Sequence, residues 1–293
     1  MLRKQINNAC LVASISLTTL SLCSIAAEDR FANVEVKPQK LTEHSYMLTG
    51  AGGNIGVSVG SDGIIIIDDQ FAPLADKISA ALAEIKAGKP RYIINTHYHG
   101  DHTGGNNKFG ETGTIFAHDN VLKRLAGNDK YQAQGLPTIT YDQGINIHFN
   151  GDTLQLIHLG AGHTDGDSVV LWQDKSVVHM GDLFFKDHFP YVDLDAGGSV
   201  LGYRDSVSNI IKRIDDTTKV IPGHGELATK SDLIRFKQML DASINWMRVQ
   251  LESQKTLEEI QQQGVPEELK GWGWSFIPDE RWIKTLYQDL NQS

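Results

Sequence analysis

The stretch Asn95–Asn106, "NTHYHGDHTGGN", holds a dense group of ionisable side chains. Its motif "HYHGDH" places His97, His99, Asp101 and His102 within six residues. Burying four such groups without a binding partner would be costly. Imidazole nitrogens and carboxylate oxygens are ligands that divalent cations of intermediate softness prefer, zinc above all. The stretch therefore predicts a metal site.

The arrangement within this stretch points to more than one ion. The preceding "RYIIN" is predicted to be a strand. At the end of a strand, residues two apart point the same way, so His97 and His99 are expected to serve one ion. Gly100 is expected to let the chain turn, so that Asp101 and His102 reach a neighbouring point. The segment can thus supply two metal centres.

Later motifs offer the further ligands that two metals need. Beside glycine and after predicted strands, "GAGHTDGD" offers His163, "HMGDLFF" offers Asp182 and "IPGHGE" offers His224. His163 would give the first ion a third imidazole, and His224 would give the second ion two imidazoles and a carboxylate. Asp182 has two carboxylate oxygens and could bridge the pair.

These residues resemble a known signature. "HYHGDH" followed in order by His163, Asp182 and His224 is similar to the five-part signature of the metallo-β-lactamase fold superfamily. The predicted strand "IIIIDD" also matches, with Asp68 at the acidic position usual in the family. The resemblance covers roughly Tyr46 to Gly225.

The resemblance implies a fold and a role for each ligand. The fold is a mixed α/β, four-layer αββα sandwich with the metals at one edge between the sheets. Asp68 is expected to hold an imidazole in its tautomer. The implied ligands are His97, His99 and His163 for the first metal, Asp101, His102 and His224 for the second, and Asp182 between them.

The bridging aspartate bears on the subfamily. β-Lactamases of the superfamily often have a cysteine, or no bridging side chain, near the position of Asp182. The ligand set is therefore more similar to those of hydroxyacylglutathione hydrolases and lactonases. Some β-lactamases also have an "HxHxDH" motif, so β-lactamase activity stays open.

The sequence predicts a hydrolase with two divalent ions, for which Zn²⁺ is the best match. A hydroxide bridging the ions would attack the carbonyl of an ester, thioester, lactone or β-lactam. Asp182 and Asp101 are the catalytic candidates, Asp101 as the residue that orients the hydroxide or carries a proton. The loop after Asp182 offers His188, Phe189 and Tyr191 as candidates to line the substrate pocket.

Two other functions remain open. One is an iron-dependent redox enzyme that uses the same ligands on the same fold. The other is a non-catalytic zinc-binding protein of the cell envelope. Metal analysis would separate zinc from iron, and turnover of an ester and lactam panel would separate an enzyme from a scavenger.

The N-terminal residues are typical of a secretory leader. Arg3 and Lys4 precede an apolar run from Ala9 to Leu22, and small residues follow. We expect a signal peptide at residues 1–27, a single domain at residues 28–293 with C-terminal helices, and export to the periplasm or beyond the cell. The only cysteines, Cys10 and Cys23, lie in this leader.

Charge limits the partners. The formal net charge is −9, and removal of the leader makes the chain more acidic. No basic stripe is present to neutralise phosphates, which argues against nucleic acid and, after leader removal, against a membrane. A small-molecule substrate is expected, and the oligomeric state stays open.

Hydrophobic periodicity predicts the helices and two hairpins. The hairpins join "INIHF" to "TLQLIHL" around Asn150-Gly151 and "SVVLW" to "SVVHM". Trp272 and Trp274 are expected to pack the C-terminal helices on the core. The predicted helices are Pro73 to Lys86, Asp119 to Leu125 with Asp119 as the cap, Tyr203 to Ile214, Ser231 to Ser253, Leu257 to Gln262, and Glu280 to Leu290.

Overall fold

The computed structural model describes residues 30–291, and the predicted signal peptide and its cleavage point lie outside them. The described residues from Glu35 onward form one compact unit, which contains the two sheets and the candidate site.

Within residues 30–291 the first sheet has seven strands in sequence order. Its neighbours are antiparallel from β1 to β4 and parallel from β4 to β7. The strands are β1 Lys37–Lys40, β2 Ser45–Thr49, β3 Ile55–Gly60, β4 Gly63–Ile67, β5 Pro90–Ile94, β6 Thr114–His118 and β7 Ile139–Tyr141.

The second sheet has six strands in the described chain, in the order β13-β12-β11-β10-β9-β8. Both predicted hairpins are confirmed, as β8–β9 and β10–β11. β11 and β12 are parallel. The strands are β8 Gly144–Phe149, β9 Asp152–Ile157, β10 Val169–Trp172, β11 Val177–His179, β12 Lys219–Ile221 and β13 Ala228–Thr229.

Apolar side chains from both sheets meet in a shared core. Ile65, Ile67 and Ile94 of the first sheet belong to one cluster with Leu156 and Val170 of the second. Because strand residues alternate in direction, Ile64 and Ile66 point to the other face, and they are buried as well. β4 is therefore covered on both faces, as parallel strands of layered α/β folds are.

Helices cover the outer faces of the sheets. Val178 and Val220 of the second sheet pack in one cluster with apolar residues of three long helices, which are α5 (Val200–Arg213), α6 (Lys230–Glu252) and α8 (Asp279–Leu290). Against the first sheet, Ala117 of β6 packs on Val121 and Leu125 of α4. The predicted αββα sandwich is confirmed. The helices are α1 Ala75–Ile85, α2 Gly100–Thr103, α3 Asn106–Phe109, α4 Asp119–Ala126, α5 Val200–Arg213, α6 Lys230–Glu252, α7 Leu257–Gln263 and α8 Asp279–Leu290.

Two local predictions differ from the structure. The N-cap of α4 is His118 and not Asp119, because the His118 backbone is extended and its ring accepts a hydrogen bond from the Asn120 amide. Three short strands, β1, β7 and β13, were not predicted, because none of them has the run of buried apolar residues that marks the equally short β10 and β11. Among residues 30–291, no helix is long and apolar enough to cross a bilayer.

Candidate metal centre

The predicted ligands lie where strands of both sheets end. β4 and β5 are parallel. In the other sheet, β10 is antiparallel to both β9 and β11, and β12 is parallel to β11. The strands β9, β11 and β12 therefore run in the same direction. Each ligand follows the carboxyl end of one of these strands: His97, His99, Asp101 and His102 after β5, His163 after β9, Asp182 after β11, and His224 after β12.

The structure brings all seven predicted ligands together in two groups. Within each group, one candidate ligand atom per residue lies within 4.8 Å of the others. The first group is His97, His99, His163 and Asp182, and the second group is Asp101, His102 and His224. The grouping matches the division between two ions that the resemblance implies.

The Asp182 carboxylate joins the two groups. Its Oδ2 lies 3.5 Å from Nε2 of His163 and 3.8 Å from Nε2 of His97. Its Oδ1 lies 3.1 Å from Nε2 of His102 and 3.4 Å from Nε2 of His224. One oxygen therefore faces each group, as a bridging ligand would require.

The chain reaches this geometry differently from the expected turn. β5 ends at Ile94, so His97 and His99 lie in the loop that follows. Gly100 then begins the short helix α2, with His99 as its N-cap. A Cβ on Gly100 would meet nothing within 4 Å. The chain is redirected at Gly100, as predicted, but by a helix start that other residues can also adopt.

In contrast to Gly100, two glycines at the site are required by close packing. A Cβ on Gly53, in the β2–β3 connection, would overlap the His102 ring. A Cβ on Gly223 would overlap Oδ1 of Asp182. The ring and the carboxylate occupy the space where these side chains would begin. Gly53 was not singled out from the sequence, since its contact with His102 is purely tertiary.

Asp68 anchors the second group, and its predicted role of holding an imidazole is confirmed. Its fully buried carboxylate accepts hydrogen bonds from the Thr96 amide at 2.7 Å and the Thr96 hydroxyl at 2.8 Å. Its Oδ2 also lies 2.7 Å from Nδ1 of His102. This contact fixes the ring with Nε2 directed at the ligand group.

His163 and His99 are also held through ring nitrogens. Nδ1 of His163 lies 2.7 Å from the Tyr191 carbonyl oxygen. Nε2 of His99 lies 3.0 Å from Oδ2 of Asp193, which also accepts a hydrogen bond from the Tyr98 hydroxyl. Asp193 was not predicted, because it lies 94 residues beyond His99 and no motif marks it.

Burial and charge set the protonation of the cluster. Burial lowers the pKa of His97 well below its usual value and lowers that of His163 to about 4. Burial also opposes the protonation of His102 and His224, but Asp182 and other carboxylates outweigh it. They raise the pKa of His102 well above its usual range and that of His224 to about 9. Burial raises the pKa of Asp182, but His102 and His224 outweigh that effect and hold it well below its usual range.

The residues present fit divalent cations. Nε2 of His97, Nε2 of His102 and Oδ1 of Asp182 are buried, and none has a partner in hydrogen-bonding geometry within residues 30–291. Buried polar atoms without partners are costly and uncommon, and cations among them would satisfy all three. The donor set of imidazole nitrogens and carboxylate oxygens suits zinc and its neighbours.

The predicted pocket residues have different surroundings. The Tyr191 ring lies beside the site, 5.7 Å from the ring of His99. His188 is partly exposed, and its ring stacks on Trp274. Phe189 is fully buried and stacks on Trp282, so its prediction as a pocket residue is corrected. Its side chain completes the core under the C-terminal helices.

Comparison with known proteins identifies the family. A family model described as the metallo-beta-lactamase superfamily matches residues 48–224, which include all seven candidate ligands. The chain belongs to this superfamily. It is accordingly a metallo-hydrolase with a small-molecule substrate. The matched range ends at His224, so α6, α7 and α8 lie outside it.

Curated superfamily members show moderate similarity. The chain is 29% identical over 187 residues to "Metallo-beta-lactamase type 2" of Bacillus cereus, covering 61% of this chain and 70% of the relative. It is 25% identical over 240 residues to the protein of the same name from Bacillus sp. (strain 170), covering 75% of this chain and 91% of that relative.

Solved structures share the fold. A metallo-beta-lactamase from Pontibacter korlensis aligns with a TM-score of 0.61 at 17% identity, covering 71% of this chain and 99% of that one. The sec-alkylsulfatase Pisa1 from Pseudomonas sp. aligns with a TM-score of 0.69 at 15% identity, covering 86% of this chain and 50% of that one. At such identities the likeness concerns the fold.

Proposed function

We propose that the protein is a dinuclear zinc hydrolase that attacks the carbonyl carbon of an ester, thioester, lactone or β-lactam and cleaves its bond to the leaving oxygen, sulfur or nitrogen. The observation that supports it most is the placement of Asp182, with Oδ2 toward the first ligand group and Oδ1 toward the second. A single buried carboxylate that serves both groups has little use in a site for one ion.

The ligand groups would each hold one ion, with Asp182 shared. A bound zinc pair supplies Lewis-acid polarisation of the carbonyl and a hydroxide nucleophile at neutral pH. The protein contributes a fixed geometry, because Asp68 and Asp193 orient the rings of His102 and His99 through their second nitrogens.

Asp101 is the ligand carboxylate best placed to orient the nucleophile. Its side chain is 26% exposed, against 5% for Asp182, and its Oδ2 lies 3.4 Å from Nε2 of His224. Burial raises the pKa of Asp101, but His102 and His224 outweigh that effect and lower it overall. Asp101 is therefore anionic at neutral pH and reaches solvent, and we assign it the orientation of the attacking nucleophile, whose O–H can donate to its carboxylate.

Metal quantification of the purified mature protein, combined with turnover of chromogenic esters, thioesters, lactones and lactams, tests the proposal. A β-lactam belongs in the panel because two Bacillus relatives are named metallo-beta-lactamases. We expect two zinc ions per chain and turnover of at least one class. Iron in place of zinc would favour the redox alternative, and zinc without any turnover would favour a binding protein.

Asp182→Ala tests the shared ligand. We expect loss of both metal content and rate, because each group loses an oxygen. Asp195→Ala, an exposed carboxylate in the loop after Asp182, is the matched control and should keep both. Full metal loading together with full activity of the Asp182 variant would exclude the bridging role.

We also propose that residues 1–27 form a signal peptide and that the protein is exported. The support is the basic start, the short apolar run and the small residues before Glu28. N-terminal sequencing of the protein from a periplasmic or culture fraction should find a start near Glu28. Retention of Met1 in a cytoplasmic fraction would contradict export.

A further inference from the structure

We propose that an aromatic arc beside the ligand groups binds an apolar part of the substrate, so that the site prefers acyl compounds with a long or bulky apolar group. The arc consists of Tyr191, Phe276, Trp274 and Phe185. This inference rests on the proposed hydrolase function and names its substrate class. Phe276 and Trp274 lie beyond the range that the family model matches.

The arc begins at the first ligand group. The Tyr191 ring lies 5.7 Å from the His99 ring at an interplanar angle of 29°. It also lies 5.6 Å from the His163 ring in an edge-to-face arrangement. An apolar group on Tyr191 would therefore be next to the side chains of the first group.

The arc continues to the second ligand group. Phe276 lies 5.6 Å from Tyr191, and Trp274 lies 5.5 Å from Phe276. Trp274 is 6.2 Å from Phe185, whose ring stacks on that of His224 at 5.0 Å and 19°. Successive ring contacts thus connect both ligand groups along one flank of the site.

The middle of the arc is accessible. Phe276 is 47% exposed, Tyr191 and Trp274 are partly exposed, and Phe185 is buried. A large aromatic side chain held in water next to a ligand cluster leaves apolar surface that a bound molecule can cover. Such an arrangement is typical of a pocket with an apolar wall and a few polar groups at its base.

Contacts from the C-terminal segment hold the arc in place. The Arg281 guanidinium lies 4.9 Å from the Tyr191 ring centre and 4.6 Å from that of Phe276, and it donates a hydrogen bond to the Phe276 carbonyl. The Trp274 indole donates to the Phe189 carbonyl at 3.0 Å. Because these rings are already held, little ordering is required when a ligand binds.

A series of 4-nitrophenyl esters from acetate to octanoate tests the proposal with the zinc-loaded enzyme. We expect kcat/KM to rise with chain length, by up to about fourfold for each fully buried methylene. Phe276→Ala and Trp274→Ala should bring the octanoate-to-acetate ratio toward one. Val249→Ala, which trims an exposed apolar side chain on α6, is the control and should keep the wild-type ratio.

Binding to metal-free protein provides a readout that is independent of turnover. By calorimetry, 2-decanone should bind more tightly than 2-butanone, and Phe276→Ala should abolish the difference. Equal kcat/KM for acetate and octanoate, or equal binding of the two ketones, would overturn the arc proposal. Failure of the wild type to turn over any member of the ester and lactam panel would instead contradict the proposed function, and the calorimetry would still decide the arc.

Discussion

The carboxylate of Asp193 lies 3.0 Å from Nε2 of His99, and the same oxygen accepts a hydrogen bond from the Tyr98 hydroxyl at 2.6 Å. The hydrogen bond to His99 is the largest of the effects that hold the pKa of Asp193 below its usual range. With Nε2 engaged, Nδ1 of His99 faces the first ligand group, 2.8 Å from Nε2 of His163.

Asp193→Asn should weaken metal binding at the first group about 10- to 100-fold, because loss of the charge frees the His99 ring to reorient. The asparagine side-chain oxygen can still accept the hydrogen bond that the Ala196 amide donates to Asp193, so the loop should persist. Competition with a zinc chelator measures the affinity. Asp195→Asn, at an exposed position in the same turn, should bind zinc like the wild type. Equal zinc affinities of the two variants would show that Asp193 does not orient the His99 ring.

Glycine substitutions should separate tertiary crowding from local flexibility. Gly53→Ala and Gly223→Ala should each lower zinc content, because the new methyl group displaces His102 or Asp182. Gly100→Ala lies inside the histidine motif, yet it should leave zinc content unchanged and stabilise the fold by about 0.4–1 kcal/mol. Metal analysis and thermal unfolding provide the measurements. A Gly100→Ala variant that cannot bind zinc would contradict the assigned helix start.

Asp68 should be important for stability as well as for orientation. Its backbone φ is 64°, in the left-handed region that asparagine tolerates better than alanine. Asp68→Ala removes a buried partner of His102 and of Thr96, and should cost about 3 kcal/mol or more. Asp68→Asn should cost less. Urea unfolding of the metal-free protein measures the free energy of unfolding of both variants. Ordinary surface substitutions change this free energy by less than about 0.5 kcal/mol, and a loss that small for Asp68→Ala would refute the anchoring role.

Zinc uptake should release protons near pH 7. Without a cation, His224 with a pKa of about 9 and His102 with a raised pKa are protonated there, and a metal must displace one proton from each. His163, with its pKa lowered to about 4, should contribute none. Apparent affinity should therefore rise as the pH increases toward 9. Calorimetry in buffers of different ionisation enthalpy counts the released protons. Zinc binding without proton release at pH 7 would contradict the protonation assigned to His102 and His224.

Local sequence patterns predicted the larger elements well. The long helix was expected at Ser231 to Ser253 and spans Lys230–Glu252, since its apolar face repeats over many turns. The hairpin at Asn150-Gly151 was found because turn residues separate two alternating runs. The two-residue strand β13 has no such pattern, and it forms where β12 offers backbone hydrogen bonds.

The sequence by itself determined which side chains could bind metal, because burying so many histidine and aspartate side chains close together would be costly without a bound cation. Only the tertiary structure decided how they are held. Asp193 beside His99, Gly53 beneath His102 and Phe276 beside Tyr191 are contacts between distant segments. Such contacts arise when two sheets pack and their strand ends converge, and no spacing along the chain encodes them.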